Sequence, residues 1–249
     1  MNFENKVVII TGASSGIGAA TAVAFAKHGA NVVIVGRNEE RLKKVAEECG
    51  RHCKKTLVVK ADVSKDDETR NIVDQTIDKF GKIDILINNA GFLGYSTILK
   101  EDLMEVYDKV MSTNLRGTVH LTNLAAPYIV KTKGNIINIS SVAARSLVSP
   151  DYIAYSVSKA GMDHFTRYVA VELAPYGVRV NAINPGPVKT AIFDGPGAPY
   201  DAESLGKMTA LRRASESEEV ADLILFVVSD KGRSLTGSNY VIDNGYLLK

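Results

Sequence analysis

Seven short runs rich in aliphatic and β-branched residues recur along the chain: Lys6 to Thr11, Asn31 to Val35, Thr56 to Lys60, Asp84 to Asn88, Asn135 to Ser140, Arg179 to Ile183 and Asn239 to Ile242. Most are continuously apolar (Val-Val-Ile-Ile, Val-Val-Ile-Val, Ile-Leu-Ile) rather than alternating. That pattern suits strands covered on both faces, as in a parallel sheet flanked by helices. Between them lie longer segments with apolar residues at helical spacing, such as Ala19 to His28, Glu39 to Glu48 and Lys65 to Phe80. Gly29, Gly50 and Gly81 stand where these helices are expected to stop. Ser64 and Asp67 have the spacing of a capping box for the third helix. Two longer helices are expected over Asp102 to Val130 and Tyr152 to Ala174. Strand and helix alternating in this way predict an α/β, doubly wound parallel sheet of seven strands with helices on both faces. No repeat or linker interrupts the rhythm, so residues 1–249 are expected to form a single domain.

One stretch breaks the alternation. From Pro185 to Pro199 the chain reads Pro-Gly-Pro and then Gly-Pro-Gly-Ala-Pro. A long irregular segment inside a compact domain is usually functional, so a substrate lid is expected at about residues 188–212. Ile192, Phe193 and Tyr200 are expected to cover something.

Composition narrows the function. Thirty Lys and Arg against 28 Asp and Glu leave a net charge of +2, and pairs such as Lys43–Lys44 and Arg212–Arg213 are scattered among acids. No nucleic-acid partner is expected on that balance. Cys49 and Cys53 are the two cysteines, which excludes a disulfide scaffold, and no metal site is expected. The N-terminal residues Met1 to Lys6 do not read as a signal peptide, and no apolar run reaches spanning length. A soluble, cytoplasmic protein with no membrane insertion is the expectation.

Candidate chemistry begins directly after the first strand, at Thr11-Gly12-Ala13-Ser14-Ser15-Gly16-Ile17-Gly18. Glycines there permit a tight turn, and the helix start offers unpaired N–H groups to a pyrophosphate. The spacing is neither the usual Gly-x-Gly-x-x-Gly nor a Walker A loop. The second strand ends Val35-Gly36-Arg37-Asn38, with no acid to bond a ribose 2′-hydroxyl. Arg37 stands where a 2′-phosphate would lie, so NADP(H) is favoured as cofactor, with NAD(H) the alternative. Further on, Tyr155 and Lys159 are four positions apart and share a helix face. An ammonium there is expected to lower the phenol from its ordinary value of ~10 toward working pH. Ser140 and Ser141 end the fifth strand, where alternation points one to a pocket and the other to backbone.

Taken together, the glycine motif, Asp62-Val63, Asn88-Asn89-Ala90-Gly91, Asn114, Ser141, Tyr155 to Lys159 and Pro185-Gly186 resemble, in order and over the whole chain, a one-domain short-chain dehydrogenase/reductase. The resemblance implies a Rossmann-like fold and a catalytic set of Asn114, Ser141, Tyr155 and Lys159. Tyr155 would be the acid or base, Lys159 would hold the nicotinamide ribose, and Ser141 would bond the substrate oxygen. Asn114 would anchor a water chain. The implied cofactor contacts are Gly12, Ser14, Ser15, Gly16, Ile17, Gly18, Arg37, Asn38, Asp62, Val63, Asn88, Ala90, Gly91, Tyr155, Lys159, Pro185, Gly186, Val188 and Thr190. Ser141 and Tyr155 are 14 positions apart, one more than in many relatives, and Asp243-Asn244-Gly245 replaces the frequent Asp-Gly-Gly.

Phe92, Leu93, Leu147, Val148, Tyr152, Ile192 and Phe193 are expected as pocket walls, which suits an apolar ketone or secondary alcohol. The small-molecule partner is therefore expected to be a carbonyl or alcohol substrate, and the resemblance, in whose members the two long helices form interfaces, implies a homotetramer or homodimer. The competing readings are an NAD(H)-dependent alcohol dehydrogenase, a 3-oxoacyl reductase of the same family, and a non-catalytic NADP(H)-binding protein.

Overall fold

The continuously apolar runs become seven parallel strands of one sheet in a computed structural model that describes residues 1–52, 55–193 and 200–249. They are β1 Val7–Thr11, β2 Asn31–Gly36, β3 Thr56–Lys60, β4 Ile85–Asn88, β5 Asn135–Ile139, β6 Arg179–Pro185 and β7 Asn239–Ile242, in the spatial order β3-β2-β1-β4-β5-β6-β7. Side-chain alternation along β1 explains why apolar residues are continuous. Val8 and Ile10 pack on one face with Phe25 and Ile224, while Val7 and Ile9 pack on the other with Ile72, Leu121 and Ile129. The first face is covered by helices α1 (Gly16–Lys27), α2 (Glu39–Gly50) and α8 (Ser217–Val228). The second carries α3 (Asp66–Phe80), α5 (Gly117–Thr132) and α6 (Ile153–Leu173). The chain runs outward from β1 to β3 and then returns to β4 on the other side of β1. That reversal opens a crevice at the carboxyl ends of the strands.

The differences from expectation have local causes. Lys6 and Asp84 lie outside the strands, because the Asp84 carboxylate accepts the Val7 N–H at 2.9 Å and pairs with Lys6 and Lys82. β6 continues two residues past Ile183, held by pairing of Asn184 and Pro185 with Val241 and Ile242. Ser64 does not cap α3; its hydroxyl donates to Asp62 Oδ1 at 2.8 Å, and Lys65 takes the cap position without a side-chain bond. Three acids in the first turn of α3 face the positive end of its dipole instead. Gly50 is the last residue of α2 rather than its stop, whereas Gly81 ends α3 in the left-handed conformation. The first of the two long helices is divided. Helix α4 (Leu103–Met111) passes through one π turn, Ser112–Arg116, into α5.

The described residues of the expected lid carry regular local structure. Val188 and Ser215 form a short parallel bridge, closed by Lys189 N–H to Ser215 O at 3.0 Å and Ser215 N–H to Pro187 O at 2.9 Å. Between them stand a 3-10 turn, Ala191–Phe193, and the short helix α7 (Ala202–Lys207). Residues 194–199 of that expected lid, and Cys53 and Lys54, lie outside the described residues. Among the described residues no helix is long and apolar enough to cross a membrane.

Candidate active site

A single cleft of about 440 Å³ follows the carboxyl ends of the strands. One end starts at the glycine turn. Gly12 has φ +65°, and a Cβ there would stand 2.9 Å from Ala90 Cα, so only glycine fits. A Cβ on Gly18 would overlap the Gly12 carbonyl oxygen, which explains close packing of α1 under the turn. Asn89 locks the arrangement: its Nδ2 donates to Thr11 O at 2.8 Å, while Thr11 Oγ1 accepts the N–H groups of Asn89 and Ala90 at 3.0 Å. Helix α1 begins with Ser15 making no side-chain cap and with no acid in its first turn. Its unpaired N–H groups therefore face the cleft without a competing acceptor, a good fit for the pyrophosphate of a dinucleotide.

Ser14, Ser15, Gly16 and Ile17 line this end, followed by Arg37, Asn38, Asp62 and Val63. Arg37 is 69% exposed, and its Nη1 lies 3.8 Å from Asp62 Oδ2. Burial raises the Asp62 carboxyl, but the bonds from Ser64 and the nearby Arg37 bring it below its ordinary value. The Asn38 side chain caps α2, accepting the Arg41 N–H at 2.9 Å. Arg41, which sequence reasoning missed, also lines the cleft. It reaches the cleft from the first turn of α2, and no motif of the sequence marks it.

Asn88 and Asn89 divide their work differently from the sequence expectation. Asn88 is buried beneath the cleft, donating to Asn138 Oδ1 at 2.9 Å and Thr122 Oγ1 at 3.0 Å, and does not line it. Asn89, Ala90 and Gly91 do line it. Pro185, Gly186, Val188 and Thr190 line it too, with Thr190 packed against Gly16 of the glycine turn.

The other end is built from α6. Tyr155 and Lys159 share its buried face, with Lys159 only 3% exposed. Lys159 Nζ lies 5.5 Å from the centroid of the Tyr155 ring and donates to Ile139 O at 2.7 Å. The two end serines separate as alternation requires. Ser140 Oγ donates to Lys159 O at 3.2 Å, while Ser141 Oγ accepts the Ala143 N–H at 3.1 Å and lines the cleft with Tyr155. Asn114, in the π turn, accepts the Phe92 N–H at 2.7 Å and donates to Phe92 O and Ser158 Oγ at 3.0 and 3.1 Å. Its carboxamide thereby pins the helix to the loop after β4.

One electrostatic expectation is reversed. The phenol of Tyr155 is not lowered by Lys159; burial pushes it up to about 12, against which Ser141 works. Burial likewise pulls Lys159 down to about 8. Each group is desolvated, and the ammonium is directed at a carbonyl over the ring face rather than at the hydroxyl. The surrounding wall is apolar: Leu93, Val148, Tyr152, Ile192 and Phe193 gather around Tyr155. Phe92 also lines the cleft, but Leu147 is 99% exposed and does not. Tyr200 is exposed too, while Leu205 of α7 and Tyr246 near the C-terminus line the cleft unpredicted. Neither belongs to a local motif, so only the folded chain brings them in. Among the described residues no cluster of His, Cys, Asp or Glu could hold a metal ion.

The chain is similar over nearly its whole length to known proteins. Residues 12–247 match the family model described as enoyl-(acyl carrier protein) reductase. A Thermotoga maritima protein named as an uncharacterized oxidoreductase is 40% identical over 98% of both chains. A 3-oxoacyl-(acyl-carrier-protein) reductase of the same organism is 35% identical over the full length of both. A short-chain dehydrogenase/reductase of unknown function from Caenorhabditis elegans, solved with cofactor, superposes with a TM-score of 0.91 at 36% identity, covering 99% of this chain and 96% of that one. With a family model matched over residues 12–247, relatives at 40% and 35% identity over nearly the whole chain, and a superposable short-chain dehydrogenase/reductase, the chain is an oxidoreductase and belongs to the short-chain dehydrogenase/reductase family.

Proposed function

We propose that the protein interconverts a ketone or aldehyde with an alcohol, using NADP(H) and an apolar substrate of steroid-like, isoprenoid, alicyclic or aliphatic type. One observation carries this reading. A single cleft joins the glycine turn and Arg37 at one end to Ser141, Tyr155 and Lys159 at the other, and closes on Leu93, Val148, Ile192 and Phe193.

Gly12 to Ile17 would hold the pyrophosphate at the start of α1, and Arg37 with Arg41 would meet a 2′-phosphate. Asp62 and Val63 would flank the adenine, and Pro185, Val188 and Thr190 the carboxamide end. When bound, the nicotinamide supplies or accepts hydride at the substrate carbon. Tyr155, protonated at neutral pH, donates its phenolic proton to the substrate oxygen in reduction and takes it back in oxidation. Ser141 donates a hydrogen bond to the same oxygen as negative charge gathers there. Lys159 would hold the nicotinamide ribose, its ammonium fixed behind the Tyr155 ring by the Ile139 carbonyl. Asn114, fixed between Phe92 and Ser158, would anchor the waters that return the proton.

A panel of apolar ketones, aldehydes and 3-oxoacyl thioesters, each run with NADPH and with NADH, tests the reading. The expected result is turnover of apolar carbonyls with NADPH; selective turnover of thioesters would replace the substrate class. Assembly is part of the proposal. Ile98, Leu103, Met104, Tyr107, Ile153 and Val157 form an apolar groove between α4 and α6, with Met104 and Val157 exposed. That surface suits a homodimer or homotetramer. Light scattering at micromolar concentration is expected to give one of these masses, and a monomer refutes it.

A further inference from the structure

Asn244 stands at the centre of the Asp243-Asn244-Gly245 sequence, and the reading above gives it no role. Its backbone has φ +52°, a left-handed conformation that glycine adopts freely and other residues adopt at a cost. What the asparagine adds is its side chain. Nδ2 donates to Arg213 O at 3.2 Å and to Ser215 Oγ at 2.9 Å, while the main-chain oxygen of Asn244 accepts the Leu211 N–H at 3.0 Å. Three bonds from one residue thus hold the connection between α7 and α8 against the segment that follows β7.

Each side of that joint carries one residue of the cleft wall. On one side, Gly206 of α7 packs so closely on the connection that a Cβ there would overlap the Ala214 nitrogen, and the neighbouring Leu205 is buried and lines the cleft. On the other, the Asp243 carboxylate accepts the N–H groups of Gly245 and Leu247 at 2.8 and 2.9 Å, and the Tyr246 N–H donates to Asp243 O at 3.0 Å. That turn carries Tyr246, which also lines the cleft. The segment is seated beside β6, where the Gly186 N–H donates to Ile242 O at 2.9 Å. Leu205 and Tyr246 therefore lie on the β6–β7 side of the crevice, away from Arg37 beyond β2. Neither belongs to the apolar group around Tyr155, so they stand outside Leu93, Val148, Ile192 and Phe193.

We propose that Asn244 is a positioning residue for substrate choice: by tying residues 211–215 to residues 243–246 it fixes Leu205 and Tyr246 as an outer wall, against which the far end of a long apolar substrate lies. The inference deepens the reading of this cleft as the site of an apolar carbonyl and rests on it. A ketone of a few carbons stays beside Ser141 and Tyr155 and does not reach the wall. A long-chain or polycyclic ketone does, and it gains affinity with each methylene it buries there. The substrate class narrows to such long or polycyclic carbonyls. Asn244 acts on their KM and leaves hydride transfer alone, because Ser141, Tyr155 and Lys159 make no bond to the joint.

The test compares butanone with a decanone in wild type, Asn244→Gly, Tyr246→Ala and the double variant. Glycine accepts the left-handed backbone of residue 244, so the first variant keeps the turn and loses only the side-chain tether. Its KM for the decanone is expected to rise about five- to tenfold, the scale of one or two neutral hydrogen bonds, with the KM for butanone and kcat on both ketones unchanged. Tyr246→Ala raises the decanone KM in the same way, and the double variant adds little to it, since both changes act on one wall. An equal change for the two ketones, an unmoved or lowered decanone KM, a loss confined to kcat, or fully additive losses overturns the proposal. So does a wild type that binds the decanone no better than butanone. If Asn244→Gly does not fold, an unmoved decanone KM in Tyr246→Ala overturns it alone. Displacement of a fluorescent apolar dye from the full chain loaded with NADP⁺ reads the same ratio of affinities without turnover. A protein that reduces neither ketone, yet loses decanone binding selectively in Asn244→Gly, defeats the proposed function and leaves this inference standing.

Discussion

The two ends of the cleft are built on opposite principles. At the glycine turn, recognition rests on main chain and on exposed charges: uncapped N–H groups of α1, a turn that admits no Cβ, and Arg37 projecting into solvent. At the Tyr155 end it rests on buried side chains, each tied to several elements. Asn114 joins the π turn to Phe92 and Ser158, Lys159 reaches β5, and Asn184 links β6 to Asp163 and Ser141. Charges at the exposed end act through water and salt, which weakens them. Those at the buried end act through low dielectric, which magnifies both their attraction and their desolvation cost. Substitutions at the first end should therefore retune preference, whereas those at the second should stop turnover.

The largest effect tests the buried end. Tyr155→Phe removes one hydroxyl and leaves the ring to pack against Tyr152, so kcat is expected to fall by about 10²–10⁴ while NADPH affinity stays near wild type. A retained kcat would remove Tyr155 from the mechanism. Lys159→Ala should differ by weakening NADPH binding as well, measured by fluorescence titration. The raised phenol value also sets a sign. Reduction uses the protonated form, which is present throughout the neutral range, while oxidation needs phenolate and should accelerate as pH rises toward about 12.

These contrasts also explain what could be read from the chain before folding. The sheet was legible because burial on both faces leaves no polar alternation, as in Val7 to Ile10, and every expected strand exists within a residue or two. The glycine turn was legible because its demand is steric and local. Tyr155 and Lys159 were legible as neighbours because helical spacing alone stacks them. Their ionisation was not, since burial is a property of the fold and outweighed the pairwise attraction read from spacing. The same limit hid Tyr246 and Leu205, which reach the cleft from distant segments, and concealed that Asn89 rather than Asn88 faces it. Ser64 misled because its hydroxyl donates to the neighbouring Asp62 instead of accepting an N–H at the start of α3.

The smaller effect tests the exposed end. Arg37 can form charge-assisted bonds to a 2′-phosphate, where NAD(H) offers only a hydroxyl. Losing such a bond costs ~1.5–3 kcal/mol, or roughly one to two powers of ten in affinity. Two features of the structure dilute it. Asp62 stands 3.8 Å from the guanidinium and shares its charge, and Arg41 lines the same stretch of cleft. Arg37→Ala alone should therefore lose only part of the NADPH preference, leaving the remainder to Arg41. Gly36→Asp has room: a Cβ there meets Leu42 and Ser14 no closer than 3.4 Å. Combined with Arg37→Ala, it places a carboxylate where it can accept the 2′-hydroxyl of NAD(H) and repel a phosphate. The measurement is kcat/KM for NADPH and NADH in wild type, the single variant and the double variant. The preference should weaken in the first and invert in the second, with kcat on the preferred cofactor little changed because the Tyr155 end is untouched. A wild type that prefers NADH, or a double variant that keeps its preference for NADPH, would show that the exposed arginines do not read the cofactor.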